Sequence, residues 1–127
     1  MSAKKSERSK LIDQCKDLIR ELKFKTFGKK CQLCGSEKQL GLFHILSVGA
    51  HPRLQLHEDN ILIACWFGCH YKHHHDPFYA RDVIFPKIAK LLGERWEENL
   101  LELERTEPKL SITRIREILE ELKERSQ

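Results

Sequence analysis

All seven histidines and four of the five cysteines of this chain fall between Cys31 and His75. Crowding of thiols and imidazoles into one stretch points first to metal chemistry. Cys31-x2-Cys34 and Cys65-x3-Cys69 have the paired spacing of zinc knuckles, in which four thiolates close a tetrahedral site around Zn2+. Disulfides are the rival chemistry, but a chain that reads as cytosolic keeps its thiols reduced. Gly35 and Gly68 stand beside the pairs, where a tight knuckle often needs a positive φ. About 30 residues separate the two pairs, against roughly 15 to 20 in many simple zinc ribbons, so the span has room for something functional. A structural zinc joining its ends contributes on the order of 10 kcal/mol to folding.

Inside that clamp lie His44, Asn60 and His70, with His74 one helical turn beyond His70. Side chains at i and i+4 share a helix face, so His70 and His74 can grip one divalent ion. By the same spacing His73 and His75 point elsewhere, and His57 and His73 read as surface residues. Trp66 and Phe67 read as core.

His44, Asn60 and His70, bracketed by the two cysteine pairs, resemble the HNH (His-Me finger, ββα-metal) nucleases over residues 30–77. The similarity is greatest to the phage and bacterial subgroup that includes NinG-like recombination nucleases. The matching residues are Cys31 to Cys34, His44-Ile45, Arg53, Asn60 and Cys69-His70. The resemblance implies a metal-dependent endonuclease that hydrolyses DNA phosphodiester bonds, with His44, Asn60 and His70 as catalytic residues. In that role His44 is the general base, neutral near its reference pKa of about 6.5, with a backbone carbonyl or the Asn60 region holding its other nitrogen. Asn60 braces the loop between hairpin and helix, and Arg53 and Lys72 clamp backbone phosphates. One Mg2+ or Mn2+ on His70 and His74 acts as a Lewis acid, although two imidazoles also suit Zn2+, Ni2+ or Co2+. Two positions depart from the family pattern. Phe43 stands where many members place an Asp or His ligand, so the third protein ligand is missing, replaced by water, or supplied from elsewhere, with His51, His75 and Asp76 as the substitutes. The second pair has three intervening residues instead of two.

An α+β fold is expected to position these residues, and the resemblance implies a small zinc-stabilised ββα-metal core flanked by N- and C-terminal helices. Three segments follow, an amphipathic basic helix in 1–29, the zinc-bound core in 30–77 and a helical extension in 78–127. Leu11, Ile12, Cys15, Leu18, Ile19 and Leu22 form one helical stripe ending at Gly28, with Cys15 as a small core residue. The apolar runs Leu40 to Leu46 and Ile61 to Ala64 suggest a hairpin. Asp76-Pro77 offers a cap and first turn for a helix running to Leu92-Gly93, broken or kinked at Pro86. Residues 94–105 and a segment capped by Ser111, carrying Ile112, Ile115, Ile118, Leu119 and Leu122, complete the helical extension.

Length and composition are consistent with this outline. At 127 residues, 40% hydrophobic and 33% charged, the chain fits one compact domain and lacks the roughly 20-residue apolar run of a membrane helix. Residues 1–30 hold ten Lys/Arg against four Asp/Glu, a balance of +6, while 31–76 and 77–127 each sum to −1. A basic patch of this kind suits phosphate backbones and equally suits simple solubility. The basic start lacks an apolar stretch, so no secretory signal is expected and a cytoplasmic setting follows, which the resemblance implies is that of a bacterial or phage-infected cell. Two rivals to the nuclease remain open: a non-catalytic zinc-binding module for nucleic acid or protein, and an assembly protein dimerising through its C-terminal helices.

Overall fold

The computed structural model describes residues 5–127; the leader-free reading of residues 1–4 lies outside the described residues. Helix α1 spans Glu7–Phe27. It begins where the Ser6 side chain accepts a hydrogen bond from the Ser9 amide, and ends at Gly28, whose φ of 85° only glycine adopts without strain. Strands β1 (Leu40–His44) and β2 (Ile61–Cys65) pair antiparallel, with Phe43 opposite Leu62 and His44 opposite Ile61. A π-helical turn, Trp66–His70, leads from β2 into α2 (Tyr71–His75). Next come α3 (Pro77–Tyr79), a second π-helical turn (Ala80–Ile84), α4 (Phe85–Leu92), α5 (Trp96–Thr106) and α6 (Ile112–Arg125). The architecture is α+β.

The helix-cap signals of the sequence act at Asp76, which accepts from the Tyr79 amide, at Gly93 with φ 100°, and at Ser111, which accepts from the Arg114 amide. The expected break at Pro86 takes the form of the wide turn before it. Proline has no N–H for the carbonyl four residues back, and the register loosens so that the Phe85 amide donates to Ala80 instead.

A two-stranded sheet is marginal alone and must be covered, and here both faces are. On one side α1 and α6 pack together, burying Ile12, Cys15, Ile19, Ile115, Leu119 and Leu122 with Ile61 of β2. The Cys15 thiol donates to the Ile115 carbonyl at 3.8 Å. The apolar stripe of α6 is thus spent inside the chain. On the other side Phe43, Leu62 and Ala64 meet Cys31, Leu33, Cys65, Cys69, Ile84, Ile88, Trp96 and Leu100. Among the described residues no helix is long and apolar enough to cross a membrane.

Candidate functional site

The four cysteine sulfurs lie within 4.8 Å of one another, and Cys34 Sγ is 3.6 Å from Cys65 Sγ. A tetrahedron with Zn–S of about 2.3 Å has sulfurs roughly 3.8 Å apart, so the cluster could hold a zinc ion. Local backbone explains how it forms. The Gly35 amide donates to the Cys31 carbonyl at 2.9 Å, with Gly35 at φ 81°, and the Cys34 amide donates to Cys31 Sγ. In the second pair the Cys69 amide donates to Cys65 Sγ at 3.3 Å. A Cβ on Gly68 would stand 2.8 Å from Cys65 Sγ, so the residue beside Cys69 has no room for a side chain. The extra residue of Cys65-x3-Cys69 is absorbed by the π-helical turn, which widens the spiral enough to bring both sulfurs inward.

Gln32 ties the first knuckle to the sheet: its amide donates to the Ile63 carbonyl, and its side-chain carbonyl accepts from the Ile63 amide, both at 2.8 Å. Hydrogen bonding within the cluster favours a thiolate at Cys31 and opposes one at Cys69. The Cys69 thiol donates to Cys31 and holds it down to about 4, while the same bond pushes Cys69 up.

His44 ends β1 and is half-buried. Its Nε2 lies 2.8 Å from the Gln55 carbonyl, which can only accept, so Nε2 carries the proton and Nδ1 keeps its lone pair. Burial holds its pKa below the ordinary value, against the opposing pull of that carbonyl. Asn60 is fully buried. Its Oδ1 accepts from the Leu46 amide at 2.8 Å, and its Nδ2 donates to the Leu46 carbonyl at 3.0 Å and the Leu54 carbonyl at 3.4 Å. One side chain thus staples both ends of the loop that presents Gln55 to His44.

His70 and His74 lie side by side with ring centroids 5.1 Å apart. Burial, then the neighbouring imidazoles, hold His70 down to about 4, and burial lowers His73 and His74 as well. Neutral nitrogens are what a metal requires. No third ligand joins them: among the described residues the four cysteines are the one group of three or more such ligand atoms. Fully buried Phe43 instead lays its ring against His70, His73 and His74 at 5.5, 4.8 and 5.9 Å.

Two of the three substitutes for a third ligand, Asp76 and His75, have other engagements. Asp76 caps α3, His75 stacks on Tyr71 at 4.3 Å, and His51 Nδ1 is buried without a hydrogen-bond partner among the described residues. Arg53 donates to the Glu107 carbonyl at 3.3 Å, and Lys72 Nζ sits 4.6 Å over the Tyr79 ring.

Three readings of the sequence are corrected. His73 is not a surface residue: its Nε2 donates to the Ile45 carbonyl at 3.1 Å and its ring packs on Phe43 and Phe85. His57 is not free on the surface either, with Nδ1 accepting from the Asp59 amide and Nε2 3.3 Å from Glu107 Oε1. Trp66 and Phe67 are not core but 49% and 65% exposed. One feature was missed altogether: His44 opens onto a groove lined by Leu42 with Lys5, Asp13, Lys16, Asp17 and Arg20. The +6 balance of residues 1–30 was its signal. Compared with known proteins, the chain matches no protein-family model, and no curated protein or solved structure is significantly similar to it.

Proposed function

We propose that the chain is a metal-dependent endonuclease of the HNH type, hydrolysing DNA phosphodiester bonds within a zinc-bound ββα-metal core. The observation that carries the reading is His44: a neutral imidazole with Nε2 occupied by a backbone carbonyl and a lone pair left at Nδ1, beside the His70/His74 pair. Nδ1 would take the proton of a water attacking phosphorus. Asn60 holds the loop that orients His44. Lys16 lines the His44 groove and suits the phosphates of the strand, with Arg20 beside it paired to Asp17, while Arg53 and Lys72 take a further part in binding. Mg2+ or Mn2+, held by His70 and His74 with water, would neutralise charge on the phosphate and on the departing 3′ oxygen.

The test is nicking of supercoiled plasmid by zinc-loaded protein with Mg2+, Mn2+, Ni2+ or no added ion, beside His44→Ala verified as folded. Metal-dependent nicking lost in the variant supports the proposal. Nicking should stay level from about pH 7 to 8 and fall below His44's lowered pKa, as the base becomes protonated. A second reading is favoured by Phe43, whose ring fills the space beside His70 and His74: a non-catalytic zinc-bearing module for nucleic acid or protein. Absence of cleavage with every ion, or equal cleavage by both proteins, selects it.

A further inference from the structure

Large aromatic side chains in a small chain usually go to the core, yet Trp66, Phe67, Tyr71 and Phe78 are 49, 65, 50 and 69% exposed. The metal cluster accounts for the first two. Cys65 and Cys69 turn inward to the sulfur cluster, so the residues between them leave on the opposite side of the π-helical turn. The rings are ordered, not scattered. Trp66 lies 4.4 Å from His70, and His70 lies 5.1 Å from His74, forming a ladder from solvent to the candidate metal pair. Beside it Tyr71 stacks on His75 at 4.3 Å.

The chemistry between these rings selects an occupant. Residues 66–75 contain no carboxylate, and 66–78 contain no Leu, Ile, Val, Met or Ala. Lys72 stands over Tyr79, and the Arg81 guanidinium, paired with Asp82, lies 5.3 Å over Phe78. Flat π-faces interleaved with positive charge complement bases linked by phosphates, and bases offer their faces only when unstacked from a duplex.

We infer that the surface formed by Trp66, Phe67 and Tyr71 stacks the bases of single-stranded DNA. Resting on the nuclease reading, this names the substrate class delivered to His44 as a single-stranded or locally unpaired stretch.

The experiment is fluorescence anisotropy of a labelled oligothymidylate and of a fully paired, blunt-ended duplex, titrated with the zinc-loaded protein without other divalent ions. The single strand is expected to bind more tightly than the duplex. Trp66→Ala and Phe67→Ala should each weaken single-strand binding roughly 5- to 100-fold, leave duplex binding within about twofold, and keep zinc content unchanged. Trp66→Tyr should restore most of the loss. Equal losses on both ligands, no loss on either, or loss of a dimer without change in oligonucleotide binding would each overturn the inference. Failure of the nuclease reading looks different: His44→Ala leaves nicking unchanged while the stacking variants still lose single-strand binding.

Discussion

Replacing Asn60 with alanine probes the loop that sets His44. The substitution removes hydrogen bonds of 2.8, 3.0 and 3.4 Å from a side chain with no solvent exposure. The two shorter bonds are worth about 1 kcal/mol each, and stranding the Leu46 amide and two carbonyls adds a desolvation penalty of similar size. The expected loss is about 2 to 4 kcal/mol, a large share of a typical domain stability of about 5 to 15 kcal/mol. Urea unfolding of the zinc-loaded protein should show the midpoint falling by roughly 1 to 2 M. Asn60→Asp keeps the acceptor but sets a negative oxygen against the Leu46 and Leu54 carbonyls, and should cost at least as much. Under conditions where the alanine variant remains folded, nicking should still decline, because the loop bearing the Gln55 carbonyl is no longer stapled. A loss below about 1 kcal/mol would refute the argument, since it would mean the loop keeps its shape without the carboxamide.

Three further outcomes follow from the geometry. Gly68→Ala, whose Cβ would sit 2.8 Å from Cys65 Sγ, should speed zinc loss to a chelator dye, whereas Gly49→Ala, which meets nothing within 4 Å, should not. Phe43→His would add an imidazole beside His70 and His74, and should tighten Co2+ binding about tenfold or more, read from the visible spectrum of the zinc-loaded protein; unchanged affinity would mean the pair presents no metal edge. Cys15 is pushed up to about 11 by burial, so it should resist alkylation at pH 8. With its pKa above the unfolded value of about 8.5, its stabilising contribution is complete below that pH and is lost as pH rises towards 11, which alkaline denaturation of Cys15→Ala against the parent would measure.

Elements with local signals were legible in the sequence. Gly28, Asp76, Gly93 and Ser111 act at helix ends because caps depend on neighbours within a few residues. The hairpin followed from two apolar runs, and the four cysteines that could bind zinc followed from their spacing. What escaped depends on contacts distant in the chain. The contact of Arg53 with the Glu107 carbonyl, 54 residues away, has no local signal. Trp66 and Phe67 read as core by residue type, but the inward turn of Cys65 and Cys69 decides which side of the chain they occupy. His73 reads as outward by period, yet the Ile45 carbonyl and the Phe43 ring draw it in.

The sheet divides the interior into two clusters, one laced by cysteines of the sulfur cluster and one closed by α1 against α6 without any of those four. Such a division favours two cooperative folding units instead of one. Withdrawing a metal from the sulfur cluster should release amide protons to exchange in the knuckles, α2 and α4, while those in α1 and α6 stay protected. The chain deprived of metal would then be a half-ordered protein whose second unit assembles when the ion arrives.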